Sequence, residues 1–394
     1  MKILCVVGAR PNFIKVAPLI KEMHKHPEIT PFLVHTGQHY DVSMAGQFFE
    51  DLGIPEPDVS LEVGSGSHAY QTAEVMKRIE PVLEREHPDL VLVVGDVNST
   101  MAAAITATKL WIPVAHVEAG LRSFDRTMPE EVNRLITDAI SDYLFVTEES
   151  GMHNLLSEGV SKDKMFFVGN VMIDSLEASR RLWQRSTIHE RLGLMNASYG
   201  VITLHRPSNV DHPDTLKGLI GALAEVGRHL PILFPVHPRT RKSLEQMEEV
   251  RALLQFGNKL VSTSGIHCLD PLGYLDFMAL VAKARIVLTD SGGIQEETTA
   301  LGIPCLTIRE NTERPVTVTH GTNRLVGISP SRILQEATRI LTIPPSVSSP
   351  PPLWDGRASQ RIIGLILELL ERRQSQESAR PHASTTVNQG RPVT

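Results

Sequence analysis

Short apolar runs rich in valine and isoleucine alternate with amphipathic stretches along most of the chain. The runs in the first half are Ile3–Val7, Phe32–His35, Leu90–Val94, Val114–Val117, Tyr143–Val146 and Met165–Val168. Those in the second half are Val201–Leu204, Ile232–Val236, Lys259–Ser262, Ile286–Thr289 and Cys305–Ile308. Between them, segments such as Gln71–Glu86 and Val132–Ile140 have helical periodicity. Because continuous apolar strands separated by helices are typical of parallel sheets covered on both faces, the pattern predicts an α/β fold of doubly wound parallel sheets.

The two sets of strands predict two domains with the boundary near Gly169–Ser175, so we expect domains over residues 1–170 and 171–350. The Pro/Ser-rich stretch Pro344–Pro352 cannot be regular helix. After it, Arg357–Arg372 has apolar residues at helical spacing. We therefore expect a helix within residues 355–373 that returns to pack on the first domain. Residues 374–394 are polar and without pattern, which predicts a disordered tail.

Composition excludes several classes of protein. The chain has 394 residues, 41% of them apolar, which suffices for two soluble cores. Its 39 basic and 45 acidic residues give a net charge of −6, so no global attraction to nucleic acid or to an anionic membrane is expected. No apolar run approaches the roughly 20 residues that span a bilayer, and the first residues lack a cleavable signal pattern. The 3 cysteines have no metal-ligand spacing. These features predict a cytoplasmic enzyme without a metal site and without a nucleic-acid or membrane partner.

One predicted strand ends in a glycine turn that leads into a helix. The letters RIVLT indicate a strand, DSGG a turn and IQEETTAL a helix. Glycines let backbone amides approach a ligand closely, and a helix N-terminus adds unpaired N–H donors and partial positive charge. Ser291, Gly292 and Gly293 are therefore candidates for holding a diphosphate, although short glycine turns are also common without a ligand.

Charged residues surround this turn. Glu296 and Glu297 are expected in the first helical turn, where they either contact a ligand or only complement the helix dipole. Arg309 and Arg314 are either cationic partners of the same ligand or solvated loop residues.

The first strand leads into a second candidate anion site, over GARPNFIKVAPL. Pro11 suits the beginning of a helix, which would point Arg10 and Lys15 toward an anion at the strand end. A surface cation is the alternative for Lys15. The sequence contains neither a GxGxxG after a strand nor a Walker A motif. A phosphate site here must therefore work without the usual dinucleotide fingerprint.

Acidic residues follow two predicted strands and begin a predicted helix. Asp96 follows LVLVVG, Glu118 follows VAHV, and Glu130 and Glu131 follow a Met-Pro pair. Clustered carboxylates are costly unless cations or substrate hydroxyls lie beside them, and they can perform general acid/base catalysis. The alternatives are an N-cap for Asp96 and helix-start acids for the glutamates.

Histidines also recur at strand ends. His116, His205 and His237 lack the spacing of a zinc motif. A hydrogen-bonded structural role is the interpretation that we favour for His116 and His237. His205 opens the predicted inter-domain face of the second half, and we interpret it as functional.

A series of motifs in fixed order carries a family resemblance. They are GARPNFIKVAPL, TGQHYD, GDVNST, HVEAGLRSFD, MPEEVNR, GNVMID, LHRPSN, PVHPRT, DSGGIQEETTALGIPCLTIRENTERP and HGTNRLVG. From about residue 2 to about residue 370, the chain resembles the non-hydrolysing UDP-N-acetylglucosamine 2-epimerases. The resemblance implies a GT-B type fold, in which two Rossmann-like domains face an active-site cleft and a C-terminal helix crosses back. It also implies interconversion of UDP-GlcNAc and UDP-ManNAc for surface polysaccharides, no cofactor, and a homodimer.

The same resemblance implies roles by position. For catalysis it implies Lys15, Asp96, Glu118, Glu130 and His205; for substrate binding it implies Arg10, Phe277, Ser291, Gly292, Gly293, Glu297 and Arg314. Glu297 would bind the ribose hydroxyls, and Arg10 would assist the glycine turn at the diphosphate. The C2 proton of the sugar is weakly acidic, so its removal must be coupled to departure of UDP, giving a 2-acetamidoglucal intermediate. The carboxylates would share the proton transfers; which one acts on which face stays open.

One part of the sequence departs from several bacterial members, which bind UDP-GlcNAc at an adjacent allosteric site through QHxQ and RQ segments. Gln38 and His39 match, but Asp41 replaces the second glutamine and Tyr70 replaces the arginine. We therefore expect weak or absent activation by substrate. A strongly sigmoidal reverse reaction, relieved by trace UDP-GlcNAc, would contradict this expectation.

Four other functions fit parts of the pattern. One is 2-epimerisation of a modified UDP-HexNAc, such as a diacetamido uronic acid, and another is a hydrolysing 2-epimerase that releases ManNAc and UDP. A GT-B glycosyltransferase would need an acceptor channel. A non-catalytic UDP-sugar sensor is disfavoured because the acid cluster is retained.

Overall fold

The protein is described here by a computed structural model that covers residues 1–37, 53–195, 197–260, 262–343 and 349–379. Within these residues the chain forms two seven-stranded sheets in which the strands are parallel. The first sheet contains β1 (Lys2–Val7), β2 (Thr30–His35), β3 (Val59–Ser60), β4 (Leu90–Val94), β5 (Val114–Ala119), β6 (Tyr143–Val146) and β7 (Met165–Phe167). Their order is β3-β2-β1-β4-β5-β6-β7. The chain enters at the centre and winds outward in both directions, which confirms the doubly wound α/β class.

The second sheet repeats this plan. It contains β8 (Gly200–Thr203), β9 (Ile232–Pro235), β10 (Leu254–Phe256), β11 (Ile266–Leu269), β12 (Ile286–Thr289), β13 (Cys305–Thr307) and β14 (Asn323–Leu325). Their order is β10-β11-β9-β8-β12-β13-β14. The two sheets, each with its own strand reversal at the centre, form the GT-B type arrangement.

Helices cover the faces of both sheets. In the first half they are α1 (Arg10–Met23), α2 (His68–Glu86), α3 (Asn98–Lys109), α4 (Pro129–Ile140), α5 (Glu149–Ser157), α6 (Val171–Ala178), α7 (Arg180–Trp183) and α8 (Ile188–Leu192). In the second half they are α9 (Pro207–Val210), α10 (Pro213–Gly227), α11 (Pro238–Gln246), α12 (Glu248–Arg251), α13 (Tyr274–Val281), α14 (Gly292–Leu301), α15 (Val316–Thr319), α16 (Pro330–Thr342) and α17 (Ala358–Ala379). A short 3₁₀ turn spans Lys162–Lys164.

One predicted strand is wrong. In the run Lys259–Ser262, the described residues 259, 260 and 262 lie in a loop. Gly257 and Asn258 end β10 just before it, and the Leu260 amide donates to the Leu192 carbonyl at 3.1 Å instead of joining a sheet. Four of the strands are not predicted by the sequence, because they are short and include polar residues: β3, β10, β11 and β14.

The core explains why the strands are continuously apolar. Side chains of a strand alternate between faces, and β1 sends Ile3 and Cys5 into one buried cluster and Leu4 and Val6 into another. Since helices cover both faces, both sets of side chains are buried.

The C-terminal helix α17 packs against α1 and α6, on the first sheet. Its buried residues include Ile362, Ile363 and Ile366, which join the same cluster as Ile3. Asp174 of α6 caps its start by accepting hydrogen bonds from the Ser359 amide at 2.7 Å and hydroxyl at 2.6 Å.

The predicted disordered tail is wrong at its beginning. The helix continues through residues 374–379, where Gln, Glu, Ser and Ala provide adequate helix propensity although no apolar stripe is present. Residues 380–394 lie outside the described residues. Among the helices that are described, none is long and apolar enough to cross a membrane.

Candidate active site

A cavity of about 550 Å³ lies where the carboxyl ends of the two sheets face each other. Most of the sequence-predicted site residues line it: Lys15, Asp96, Glu130, His205, Phe277, Ser291, Gly292, Gly293, Glu297 and Arg314. They reach it because parallel strands place their following loops at one edge of a sheet. The structure thus brings together residues from both halves of the chain at one cleft.

The glycine turn forms one wall of the cleft. Helix α14 begins at Gly292 with Ser291 as its N-cap, so its free amides and partial positive charge face the cavity. A Cβ atom at Gly292 would lie 2.9 Å from Nη1 of Arg314, which explains why glycine is needed at this close approach.

The helix start corrects one expectation. Glu296 and Glu297 are the fifth and sixth residues of the helix that begins at Gly292, so they lie in its second turn and not in the first. They therefore do not serve as helix-start acids. Glu297 lies in the cavity wall and accepts a hydrogen bond from the Tyr274 hydroxyl at 3.1 Å.

A buried ion-pair chain joins the two walls. Glu118, at the end of β5, pairs with Lys15 of α1 and with Arg314 of the second half. Arg314 also lies 2.7 Å from Glu296 and 2.7 Å from Glu313. All of these side chains are buried. Each cation therefore has a carboxylate partner, and Arg314 links the two sheets across the cleft.

Glu118 reaches this position through an unusual backbone. Its φ is +75°, in the left-handed region, where the pairing of β5 with β6 also shifts register. Non-glycine residues in this region cost about 1–3 kcal/mol and occur at functional sites. The bulge turns the Glu118 carboxylate between Lys15 and Arg314 instead of leaving it on the alternate face of the strand.

Two neighbouring carboxylates respond differently to burial. Burial raises the pKa of Glu296 above its usual value, although the positive charge of Arg314 opposes the shift. The Asn170 amide donates to Glu296 at 2.8 Å. Burial also disfavours ionised Glu313, but Arg314 and Arg309 together hold its pKa well below the usual range.

Asp96 lies on the wall formed by the first sheet. It pairs at 2.5 Å with Arg134, which also pairs at 2.5 Å with Glu131. The N-cap interpretation of Asp96 is wrong, because helix α3 begins at Asn98 and its N-cap is Val97. The Asp96 side chain remains partly exposed to the cleft.

The two adjacent glutamates at the start of α4 differ in their surroundings. Both Glu130 and Glu131 lie in its first turn, as the helix-start interpretation predicts. Glu131 is buried and accepts hydrogen bonds from the amides of Ser123 and Phe124 at 2.9 and 3.0 Å. Glu130 lines the cavity, so it is the one that can reach a ligand.

His205 follows β8 and remains half exposed at the cleft. Its Nδ1 lies 2.7 Å from Asp290, whose carboxylate also accepts from the Arg206 amide at 2.9 Å. Burial acts to raise the pKa of Asp290, but these contacts hold it below the usual value. An ionised Asp290 fixes the His205 ring with its other nitrogen, Nε2, available at the cleft. His237, predicted to be structural, also lines the cavity.

Some predicted positions cannot be placed. Arg10 begins α1, but its side chain lies outside the part of the chain that is described. Gln38, His39 and Asp41 also lie outside the described residues. Tyr70 is an exposed residue of α2.

Sequence reasoning missed several members of the site. Arg134, Arg206, Tyr274 and Glu313 all line the cavity. The i, i+3 spacing of Glu131 and Arg134 was the available signal for one of them. Within the described residues no group of His, Cys, Asp or Glu could hold a metal ion.

Glu148 is a buried carboxylate that lies behind the cleft wall. Its Oε1 accepts a hydrogen bond from the Ser150 hydroxyl at 2.5 Å. With Val316 and Trp354 it borders a second cavity of about 190 Å³. Burial raises the pKa of Glu148 to about 7, and the positive charge of Arg314 offsets this only in part.

We expect Glu148→Gln to stabilise the protein by about 3 kcal/mol at about pH 8. A carboxyl whose pKa is raised on folding disfavours the folded state once it ionises, so wild-type stability falls as the pH rises from about 4.5 to about 7. The amide lacks this dependence, and the two proteins should agree within about 0.5 kcal/mol at pH 4.5. Urea unfolding at the two pH values measures the difference. The exposed neighbour provides a matched control, Glu149→Gln, which should match wild type at both; a wild-type midpoint for Glu148→Gln at pH 8 would contradict the prediction.

The geometry combines three capacities. The first wall presents partly exposed carboxylates able to transfer protons, the second wall presents helix amides able to bind a diphosphate, and an ion-pair chain joins them. Such an arrangement suits proton transfer next to a leaving phosphate group.

Comparison with known proteins points in one direction. The sequence model of a family described as UDP-N-acetylglucosamine 2-epimerase matches residues 21–367. A UDP-N-acetylglucosamine 2-epimerase homolog of Methanococcus maripaludis is 44% identical over 372 residues, which is 94% of this chain and 100% of the relative. The UDP-2,3-diacetamido-2,3-dideoxy-D-glucuronate 2-epimerase of Pseudomonas aeruginosa is 40% identical, with 94% and 100% covered. The crystal structure of Methanocaldococcus jannaschii UDP-GlcNAc 2-epimerase with UDP-GlcNAc and UDP is 39% identical, with a TM-score of 0.84 over 93% of this chain and 100% of that one.

Proposed function

Because this chain belongs to the UDP-N-acetylglucosamine 2-epimerase family, we propose that it reversibly interconverts UDP-GlcNAc and UDP-ManNAc without hydrolysing them. The observation that carries the proposal is the single cleft in which Asp96 and Glu130 face the helix start at Ser291–Gly293. This arrangement supports proton transfer opposite the proposed diphosphate site. The similar Methanocaldococcus protein binds UDP-GlcNAc and UDP in its crystal structure, which supports a UDP-sugar as the ligand.

The proposed chemistry is an elimination followed by an addition. A base removes the C2 proton while the C1–O bond breaks. The C2–H electron pair becomes the C1=C2 double bond of 2-acetamidoglucal, and the C1–O pair leaves with UDP. UDP oxygen then adds back to C1 while an acid protonates C2 on the opposite face. No net oxidation occurs, so the reaction needs no redox cofactor.

The residues of the cleft fit these steps. Gly292 and Gly293 offer backbone donors to the departing diphosphate. The Ser291 amide already donates to the Thr289 hydroxyl at 3.0 Å, so Ser291 would contribute its own hydroxyl, and Glu297 would accept hydrogen bonds from the ribose hydroxyls. Asp96 and Glu130 are the carboxylates with access to the cavity.

The buried residues Lys15, Glu118 and Arg314 lie next to the groups that line the cavity. Glu118 is enclosed by Lys15 and Arg314, so a proton on it would change the charge balance of the whole chain of ion pairs. Phe277 and His205 complete the walls. The product would supply ManNAc-type precursors for surface polysaccharides. We also propose that the protein is a homodimer, which a light-scattering measurement of its molar mass can test.

A second candidate is supported by the Pseudomonas relative, which is 40% identical and acts on a UDP-diacetamido glucuronate. The steps at C1 and C2 would be the same, and the difference would lie in the groups at C3 and C5. The groups that bind UDP cannot distinguish the two substrates.

The test is incubation with UDP-GlcNAc in deuterium oxide, without added cofactor, followed by proton NMR of the sugar. We expect UDP-ManNAc with deuterium at C2. Free ManNAc and UDP would instead establish a hydrolysing 2-epimerase. Conversion of only the diacetamido glucuronate would establish the second candidate, and retention of protium at C2 in converted sugar would overturn the elimination mechanism.

A further inference from the structure

His116 is a fully buried histidine whose ring lies between two hydrogen-bond acceptors. It stands on β5, and its exposed fraction is 0%. Its Nε2 lies 2.9 Å from the Gly95 carbonyl oxygen, and its Nδ1 lies 2.6 Å from Oδ1 of Asp138. Both ring nitrogens are thus engaged, which is more than an ordinary core histidine with one donor requires.

The partners determine where the ring protons are. A backbone carbonyl can only accept, so Nε2 must carry hydrogen. Asp138 is ionised, because its second oxygen accepts from the Gly120 amide at 3.0 Å and pairs with Arg122 at 2.7 Å. Burial opposes ionisation, yet His116 and Arg122 hold the pKa of Asp138 below its usual value. An ionised carboxylate also only accepts, so Nδ1 must carry hydrogen as well.

The same contacts hold both turns that present the acid cluster. Gly95 has a φ of +66° and immediately precedes Asp96. Gly120, held by Asp138, follows Glu118 by two residues and closes the bulge. A Cβ on Gly95 would lie 3.0 Å from Nζ of Lys15 and 3.7 Å from Oε2 of Glu118, so this turn packs closely against the Lys15–Glu118 pair.

We propose that His116 is a positioning residue, a doubly protonated imidazolium that holds the Asp96 turn directly and the Glu118 turn through Asp138. The reaction that His116 supports depends on the proposed function, whereas its protonation state does not. The charged groups around it are Asp138 and Arg122 on one side, and Lys15 and Glu118 beyond the Gly95 turn. His116 does not line the cavity between the two sheets, so we assign it a role through the backbone of the two turns and not on the substrate.

Two substitutions separate its contacts. The His116→Gln amide extends to the place of Nε2 and can still donate to the Gly95 carbonyl, whereas the shorter His116→Asn amide replaces Nδ1 and loses that contact. We expect kcat per UDP-binding site to fall by at least about 100-fold in His116→Asn and by clearly less in His116→Gln, with KM nearly unchanged in both. A loss of folded protein with normal kcat per site, or an equal loss of kcat in both variants, would overturn the positioning role.

The protonation state has its own measurement. The chain contains 16 histidines, and the ring ¹⁵N signals of His116 are those absent from the His116→Gln spectrum. We expect both ring nitrogens to give the chemical shifts of protonated nitrogens at neutral pH, because each faces a group that only accepts. A bare ring nitrogen at neutral pH would overturn the imidazolium. If the spectrum agrees but wild-type enzyme does not epimerise UDP-GlcNAc, the proposed function fails and the buried imidazolium stands.

Discussion

Arg314→Met should abolish turnover and destabilise the protein by about 3–5 kcal/mol at about pH 8. The guanidinium lies against Glu118, Glu296 and Glu313, all buried. Removing it leaves carboxylates in a low-dielectric region without their common cation, which costs far more than losing a surface ion pair. It also removes the ion pair with Glu118 that links the two walls of the cleft.

The pH dependence of this loss can be predicted. Without the arginine, the pKa of Glu296, already raised by burial, rises further, and that of Glu313 loses one of the two cations that hold it down. The destabilisation is therefore present at neutral pH and diminishes as falling pH protonates the buried carboxylates. Urea unfolding at about pH 8 and about pH 5 measures this change. Arg324→Met removes an arginine that pairs with Glu336 at 3.4 Å on the surface, and it should change stability by less than about 1 kcal/mol. Equal effects of the two substitutions would contradict the assigned role of Arg314.

Neutralising the acid cluster should reduce turnover while leaving nucleotide binding intact. We expect Asp96→Asn, Glu118→Gln and Glu130→Gln each to lower kcat by about 10²–10⁴-fold, the range for a lost acid or base. Exchange of the C2 proton with deuterium should fall in parallel. Affinity for UDP should change only a few-fold in Asp96→Asn and Glu130→Gln, because the Ser291–Gly293 helix start lies on the opposite wall.

The three variants differ in how their losses can be interpreted. Asp96 and Glu130 line the cavity, so their substitution changes groups that can meet the substrate. Glu118 is shared by two cations, and its amide variant also releases Lys15. Glu80→Gln, at an exposed position of α2, is the matched control and should behave as wild type. Unchanged turnover in all three acid variants would refute the catalytic cluster.

Sequence predicted the parts of the fold that depend on long apolar runs. β4 and β12 are buried on both faces, so nearly every residue in them must be apolar, and this pattern can be recognised in the sequence. Short strands such as β10 and β14 are fixed by their neighbours in the sheet, so no local pattern distinguished them from loops. Lys259–Ser262 shows the reverse case, because apolar letters there pack without joining a sheet.

The candidate site could also be predicted only in part from the sequence. Residues at strand ends, such as Asp96 and Ser291, were found because topology brings strand ends together. The pairing of Arg314 with Glu118 could not be found, since the two residues are 196 positions apart in the chain and nothing local couples them. The left-handed backbone of Glu118 was likewise invisible, because it depends on the bulge between β5 and β6.

Because α17 packs against the first sheet, the first half of the protein cannot complete its fold until the end of the chain has been synthesised. The second sheet is built from one continuous stretch of chain, but the core beneath β1 lacks Ile362, Ile363 and Ile366 until the last helix has been made. At about 5–20 residues per second, translation between β7 and α17 takes on the order of ten seconds or more. The half of the protein that leaves the ribosome first is therefore the half that finishes folding last, and the part of α1 that packs against α17 stays uncovered in the meantime.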